Sequence, residues 1–159
     1  ITVTTPLTDT AGVRIDAPPY VIPVLRAGLG MLAGALTHLP DAPTAFVGVA
    51  RNDDTLIPEP YLNSLPGDLD GRDVLVLDPM LATGQSMVLV YRALLRLGKP
   101  RALHVVSAIA SSEGLEYAKR HLPPDTRFWI GAIDEEMTAQ AYIVPGLGDA
   151  GDLAYGRKL

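Results

Sequence analysis

The chain has 159 residues, 48% of them hydrophobic, no cysteine, and 13 Lys and Arg against 18 Asp and Glu for a formal charge of −5. One domain with a real core fits this length and apolar content, whereas a disulfide scaffold and thiolate metal sites are excluded. The acidic balance argues against nucleic-acid binding, and no apolar run reaches membrane-spanning length, so the expected setting is soluble and cytoplasmic.

Residues 1–5 alternate β-branched side chains, and residues 13–15 do so again after Asp9-Thr10-Ala11-Gly12. That pattern predicts a β-hairpin turning through the tetrapeptide. The apolar residues 20–25 read as a buried strand that runs straight into Arg26-Ala27-Gly28-Leu29-Gly30. A charge followed by glycines at the carboxyl end of such a strand is where α/β sheets open a ligand crevice; an arginine snorkelling to solvent fits the segment equally well. Between residues 30 and 39, Met31, Leu32, Ala35, Leu36 and Leu39 share one face, an amphipathic helix that ends before Pro40. Residues 44–50 form a third strand. The polar stretch 51–61, broken by Pro58 and Pro60, reads by itself as a solvated surface loop.

Residues 73–86 are the most informative stretch. Val74 to Leu77 is a continuous apolar run, half β-branched and too short for a typical helix, as expected of a central parallel strand covered on both faces. Asp78 closes the strand, and Pro79 is expected to forbid its continuation. Leu81, Ala82, Thr83, Gly84 and Ser86 then form a small-residue turn. A helix opens at Gln85, carries Val88, Tyr91, Leu94 and Leu95 at helical spacing, and stops at Gly98 before Pro100. Strand, hydroxyl-bearing turn and helix N-terminus together make a phosphate site, with a carboxylate placed for sugar hydroxyls. No Gly-Lys-Ser or Gly-Lys-Thr occurs, nor a Gly-x-Gly-x-x-Gly opening a helix, so a nucleotide P-loop and a dinucleotide fold have no support.

Residues 102–110 read as another buried strand, with Ser111 and Ser112 as candidate caps of a helix that carries Leu115, Ala118 and Leu122 and ends at Pro123-Pro124. Residues 127–133 supply a further strand, with Trp129 expected to pack. Asp134-Glu135-Glu136 reads as a solvated turn. His38, His104 and His121 lack metal or triad spacing. Three glycines, a proline and two aspartates between Tyr142 and Asp152 compose a loop that brings backbone close to a ligand. Alternating strands and helices of these lengths predict a right-handed parallel α/β sheet.

Asp78-Pro79-Met80-Leu81-Ala82-Thr83-Gly84-Gln85-Ser86 resembles the phosphoribosyl pyrophosphate loop of the uracil phosphoribosyltransferases, whose usual form has a small residue in place of Gln85. Leu77-Asp78, where most other phosphoribosyltransferases carry two adjacent acids, is that family's habit. The match extends to residues 25–31, to Arg51-Asn52 with Thr55-Leu56 and Pro58, and to residues 142–152, in the family's order. The usual proline is replaced by Ser112.

The resemblance implies a type I phosphoribosyltransferase fold: a mostly parallel central sheet flanked by helices, with an N-terminal β-hairpin and a C-terminal hood loop for base recognition. It implies one domain over residues 1–159, preceded in the full chain by an N-terminal segment. The implied reaction moves the 5-phosphoribosyl group of phosphoribosyl pyrophosphate (PRPP) to N1 of uracil, giving UMP and diphosphate. By the same resemblance Arg26 and its backbone hold pyrophosphate through a strained Arg26–Ala27 peptide, and Arg51 reaches pyrophosphate from a mobile loop. Asp78 fixes the ribose, and Pro79, Met80, Leu81, Ala82, Thr83, Gly84, Gln85 and Ser86 complete the PRPP site. Backbone at Ile143, Gly148 and Ala150, beside Tyr142, reads uracil, and Asp149 lies on the ribose side as the candidate general base. Mg2+ is expected to arrive with PRPP and not on a protein metal site, and a homodimer or higher homo-oligomer and a GTP effector are further family expectations. The alternative is a non-catalytic regulatory protein that binds PRPP or UMP.

Overall fold

The computed structural model describes residues 1–51, 58–65 and 68–156. Strands β1 (Thr2–Thr4) and β2 (Asp9–Ala11) pair antiparallel, Thr2 opposite Ala11 and Thr4 opposite Asp9, as an exposed ribbon of their own. The hairpin is present, but its reversal lies at residues 5–8 and not at 9–12. The Thr5 hydroxyl oxygen accepts the N–H groups of Leu7 (3.3 Å) and Thr8 (3.1 Å), and Pro6 sits inside the turn where no N–H is required. A threonine side chain mimicking a backbone turn outweighed the Asp-to-Gly tetrapeptide.

β3 (Tyr20–Leu25) leads into α1 (Leu29–His38), and β4 (Phe46–Arg51) follows. Part of the expected loop is a strand, β5 (Pro58–Ser64), antiparallel to β4 from Phe46 opposite Ser64 to Arg51 opposite Pro58. Among the described residues β5 lies at the end of the strand order and pairs on one side alone, and such an edge strand accepts Pro58 and Pro60. Residues 52–57 of the expected loop lie outside the described residues.

β6 (Asp73–Leu77) and β7 (Met80–Leu81) precede α2 (Gln85–Leu94), which tightens into a 3-10 turn, Leu95–Leu97, and ends at Gly98 with φ 128°. β8 (Ala102–Ser111), α3 (Ser112–His121) and β9 (Arg127–Asp134) complete the main sheet. β10 (Glu136–Met137), β11 (Ile143–Val144) and α4 (Ala150–Tyr155) form the C-terminal region. The strand order is β5-β4-β3-β6-β8, with both β7 and β9 paired to β8, and every pair but β4–β5 is parallel.

Pro79 interrupts the strand without ending it. Its carbonyl accepts the N–H groups of Ala108 (3.1 Å) and Ile109 (3.0 Å), and pairing resumes with Met80 opposite Ile109. The Asp78 N–H is directed to Val106 on β8, so by strand alternation residue 79 would donate toward β3. β3 pairs only as far as Pro23 opposite Leu77, hence the missing donor costs nothing.

The two-residue period divides the core. Ile22, Val74, Val76 and Val105 face α2 and α3, meeting Val88, Val90, Leu94, Leu115 and Ala118. Val21 and Leu77 point the other way, to Leu32 of α1 and Ala42. Trp129 is not packed: it is 56% exposed and stacks on His104, its indole N–H donating to Nδ1 at 3.1 Å. Phe128 and Ile130 take the core side of β9, which leaves Trp129 on a face that α1, packed over β3, does not cover at this edge.

Candidate active site

The carboxyl ends of β3 and β6 and the C-terminal loop enclose a cavity of about 360 Å³. β3 contributes Arg26, β6 hands over to Asp78 and Met80, the turn before α2 supplies Ala82 and Ser86, and Tyr142, Ile143, Gly148 and Asp149 close the opposite wall. A larger recess of about 840 Å³ lies at the amino end of β8, between Lys99, Arg101 and Asp125. It contains no residue of the candidate motifs, and parallel α/β sheets bind ligands at the carboxyl end, so the chemistry belongs to the smaller cavity.

Asp78 is partly buried and lines the cavity, and its carboxyl is pushed up to about 7. Loss of solvation is the main cause; the Met80 N–H, 3.4 Å from Oδ1, pulls the other way, and the negative charge of Asp149 adds to the rise. Two carboxylates facing one cavity therefore repel until a cation or a sugar hydroxyl comes between them.

The turn after Asp78 is fastened from behind. Gly84, at φ 74°, precedes α2 and as its N-cap makes no side-chain cap bond, and among the described residues the Ser86 and Met87 amides of the first turn take no partner and can meet an anion. Thr83 Oγ1 lies 3.4 Å from the Gln85 N–H that it accepts. The buried Ser111 hydroxyl donates to the Ala82 carbonyl at 2.6 Å and accepts the Gly114 N–H at 2.8 Å, so one side chain caps α3 and pins the turn. Ser111→Ala removes both bonds, and a loss of about 2 kcal/mol is expected in urea denaturation. Of the two candidate caps, Ser111 takes the position and Ser112 is the first helical residue.

Arg26 follows a cis Leu25–Arg26 peptide. Its guanidinium donates to Asp152 Oδ1 at 2.8 Å and to the Gly156 carbonyl at 3.1 Å. Asp149 caps α4, one carboxylate oxygen accepting the Asp152 N–H at 2.9 Å. The small antiparallel pair β10–β11 carries the loop over the cavity, and Asp134 Oδ2 accepts the Gly146 N–H at 3.2 Å. Asp134 is thus an anchor of that loop, where a solvated turn was expected.

A family model described as uracil phosphoribosyltransferase matches residues 1–157. The chain belongs to the uracil phosphoribosyltransferase family. Among its relatives, the uracil phosphoribosyltransferase of Corynebacterium diphtheriae is 45% identical over 157 residues, 98% of this chain and 73% of that protein. That of Kineococcus radiotolerans is 47% identical, covering 97% of this chain and 74% of the relative. Among solved structures, the AQ2163 protein of Aquifex aeolicus superposes with a TM-score of 0.87 at 36% identity, over 98% of this chain and 74% of that one. The hypoxanthine phosphoribosyltransferase of Trypanosoma cruzi in complex with IMP, at 19% identity and a TM-score of 0.56 over 80% of this chain and 67% of that one, shares the fold. The fold is therefore the type I phosphoribosyltransferase fold that the motifs implied.

Of the residues that the uracil phosphoribosyltransferase motifs singled out, Arg26, Asp78, Met80, Ala82, Ser86, Tyr142, Ile143, Gly148 and Asp149 line the cavity together. Pro79 and Leu81 are buried in the sheet; Thr83, Gly84, Gln85 and Ala150 belong to the turn and helix starts around the cavity and do not line it. Arg51 closes β4 by its backbone, and its side chain lies outside the described residues. Gln140, Ala141 and Val49 also line the cavity. No motif pointed to them, since their place comes from the β10–β11 turn and from the sheet register. Ala141 holds φ 59°, a conformation that side chains rarely adopt.

Proposed function

We propose that this chain transfers the 5-phosphoribosyl group of PRPP to N1 of uracil, giving UMP and diphosphate in pyrimidine salvage. The observation that carries the reading is one cavity shared by the Asp78 turn and the residues 142–149. Departure of diphosphate leaves positive charge on the anomeric carbon, so catalysis is mainly electrostatic and positional. Arg26 takes up charge on the leaving group, the Asp78 carboxylate accepts the ribose hydroxyls, and amides of the Ala82–Ser86 turn hold the 5′-phosphate. Backbone groups of Ile143 and Gly148 in the cavity wall, with Ala150 at the start of α4 beside it, read the two carbonyls and two N–H groups of uracil. Cytosine, with an amine in place of a carbonyl, would leave buried partners unpaired and is rejected.

Asp78 and Asp149 present oxygen donors to one cavity, and among the described residues no cluster of three or more potential ligands forms a protein metal site. This donor set suits Mg2+ that is shared with a diphosphate and not bound alone; the ion supplies charge neutralisation of the leaving group. Asp149 is the candidate general base, through the carboxylate oxygen that does not cap α4. No described helix is long and apolar enough to cross a membrane. A cytoplasmic homo-oligomer that responds to GTP completes the reading on the strength of the family resemblance. Incubation of the protein with labelled uracil, PRPP and Mg2+ tests it. UMP formation supports the enzyme; tight UMP or PRPP binding without turnover turns the reading into the regulatory alternative, and hypoxanthine, guanine and orotate test the acceptor.

A further inference from the structure

We infer that Asp152 is a positioning residue that holds the Arg26 guanidinium toward the cavity, tying the base-reading end of the chain to the diphosphate side. The inference rests on the proposed reaction and assigns a task within it to a residue outside the cavity wall. Arg26 and Asp152 are 126 residues apart in sequence, yet Nη2 and Oδ1 meet at 2.8 Å, and the Gly156 carbonyl takes a second bond from the same nitrogen at 3.1 Å. The side chains are 29% and 37% exposed, so the pair is shielded from solvent better than an open surface bridge.

An arginine presents five N–H groups in a rigid planar fork. Engaging one terminal nitrogen on α4 fixes the plane of the fork. Among the described residues Nε and Nη1 take no hydrogen bond, and Arg26 lines the cavity, so these donors remain for a ligand there. The holder is itself held: Asp149 accepts the Asp152 N–H at 2.9 Å, and Asp149 belongs to the cavity wall. A lysine at position 26 would offer a point charge without a plane to fix.

Two physical effects oppose each other at Asp152, and this makes the inference decidable. A carboxylate beside a cation weakens its pull on an anion, so if charge alone mattered, removing Asp152 would tighten diphosphate binding. If orientation matters more, removing it loosens binding. The test uses the full chain as wild type, Asp152→Asn, Asp152→Ala, Arg26→Gln and the double variant Arg26→Gln with Asp152→Ala. Kinetics are measured in each substrate, with calorimetric titration of inorganic diphosphate plus Mg2+. Asp152→Ala is expected to raise the KM for PRPP and the Kd for diphosphate about tenfold while the KM for uracil stays within about twofold. Asp152→Asn, which keeps the acceptor oxygen and the fold, falls between, and in the Arg26→Gln background Asp152→Ala changes diphosphate binding no further.

Diphosphate binding that is unchanged or tighter in both Asp152 variants overturns the inference. So does a rise confined to the uracil KM, the mark of a helix merely loosened, or effects of the two positions that multiply. A wild type that binds diphosphate but makes no UMP would refute the transfer reaction while leaving the titration arm intact.

Discussion

Asp78→Asn is expected to lower turnover by roughly two to three orders of magnitude while making the unliganded protein more stable at alkaline pH. The two effects have one origin. The carboxyl is raised from 3.8 to about 7 because it is held in a cavity beside the Asp149 charge, and an asparagine there carries no charge to desolvate. In the unfolded chain the group ionises near 3.8, so above pH 7 both states are ionised and the folded state bears the full penalty. As pH falls from 7 to 4 the folded state takes up a proton, the penalty disappears, and wild type and variant converge. At about 1.36 kcal/mol per pH unit the ceiling is roughly 4 kcal/mol, and water reaching the cavity halves it to about 2 kcal/mol. A Tm advantage of about 4–8 °C for Asp78→Asn at pH 8.5, shrinking to nothing by pH 4, is the expected calorimetric result. Wild-type turnover in the variant would remove Asp78 from the mechanism; a Tm advantage growing toward low pH would refute the electrostatic account.

Gly114→Ala is expected to be the most damaging small substitution outside the cavity. A Cβ at this position would collide with the Ala82 carbonyl, lying 2.7 Å from the carbonyl carbon and 2.9 Å from the Leu81 oxygen. These are backbone atoms and cannot swing aside. Gly84 closes the same contact from the other side, since a Cβ there would sit 2.5 Å from the Gly114 oxygen at a φ of 74°. The turn after Asp78 and the start of α3 are thus in backbone contact, and a methyl group must displace the turn. A loss of about 3 kcal/mol in urea denaturation and a KM for PRPP raised at least tenfold are expected. Ser111→Ala, which removes hydrogen bonds without displacing backbone, should lose stability with a much smaller change in KM. Equal effects of the two substitutions on KM would show that the turn is positioned by hydrogen bonding and not by contact.

Much of this site was legible in residue order because its parts are local. The Val74–Leu77 run, Asp78 at its end, and the small residues before Gln85 occupy one short stretch, where strand, turn and helix start follow from period and residue size. The same holds for Arg26 after β3 and for the glycines near Asp149. Errors arose where a side chain or a neighbour changed a local rule. Thr5 took the hairpin turn away from Asp9-Thr10-Ala11-Gly12 by accepting two N–H groups. The polar, proline-broken stretch 51–61 suggests a loop, yet residues 58–64 pair as β5, an edge strand among the described residues. Trp129 is expected to pack, yet it stands 56% exposed on β9 beside His104.

By itself the amino-acid sequence determined the class of fold, the order of most of its elements and the candidate motifs that the cavity brings together, because these depend on periodicity and on chemistry within a few residues. Tertiary structure alone decided that Arg26 meets Asp152, that Asp134 and Ser111 anchor the two loops, and that Asp78 titrates near neutrality. Each of these needs groups distant in sequence to approach within a few ångströms, or a wall of protein to exclude water, and neither condition is written in any single segment of the chain.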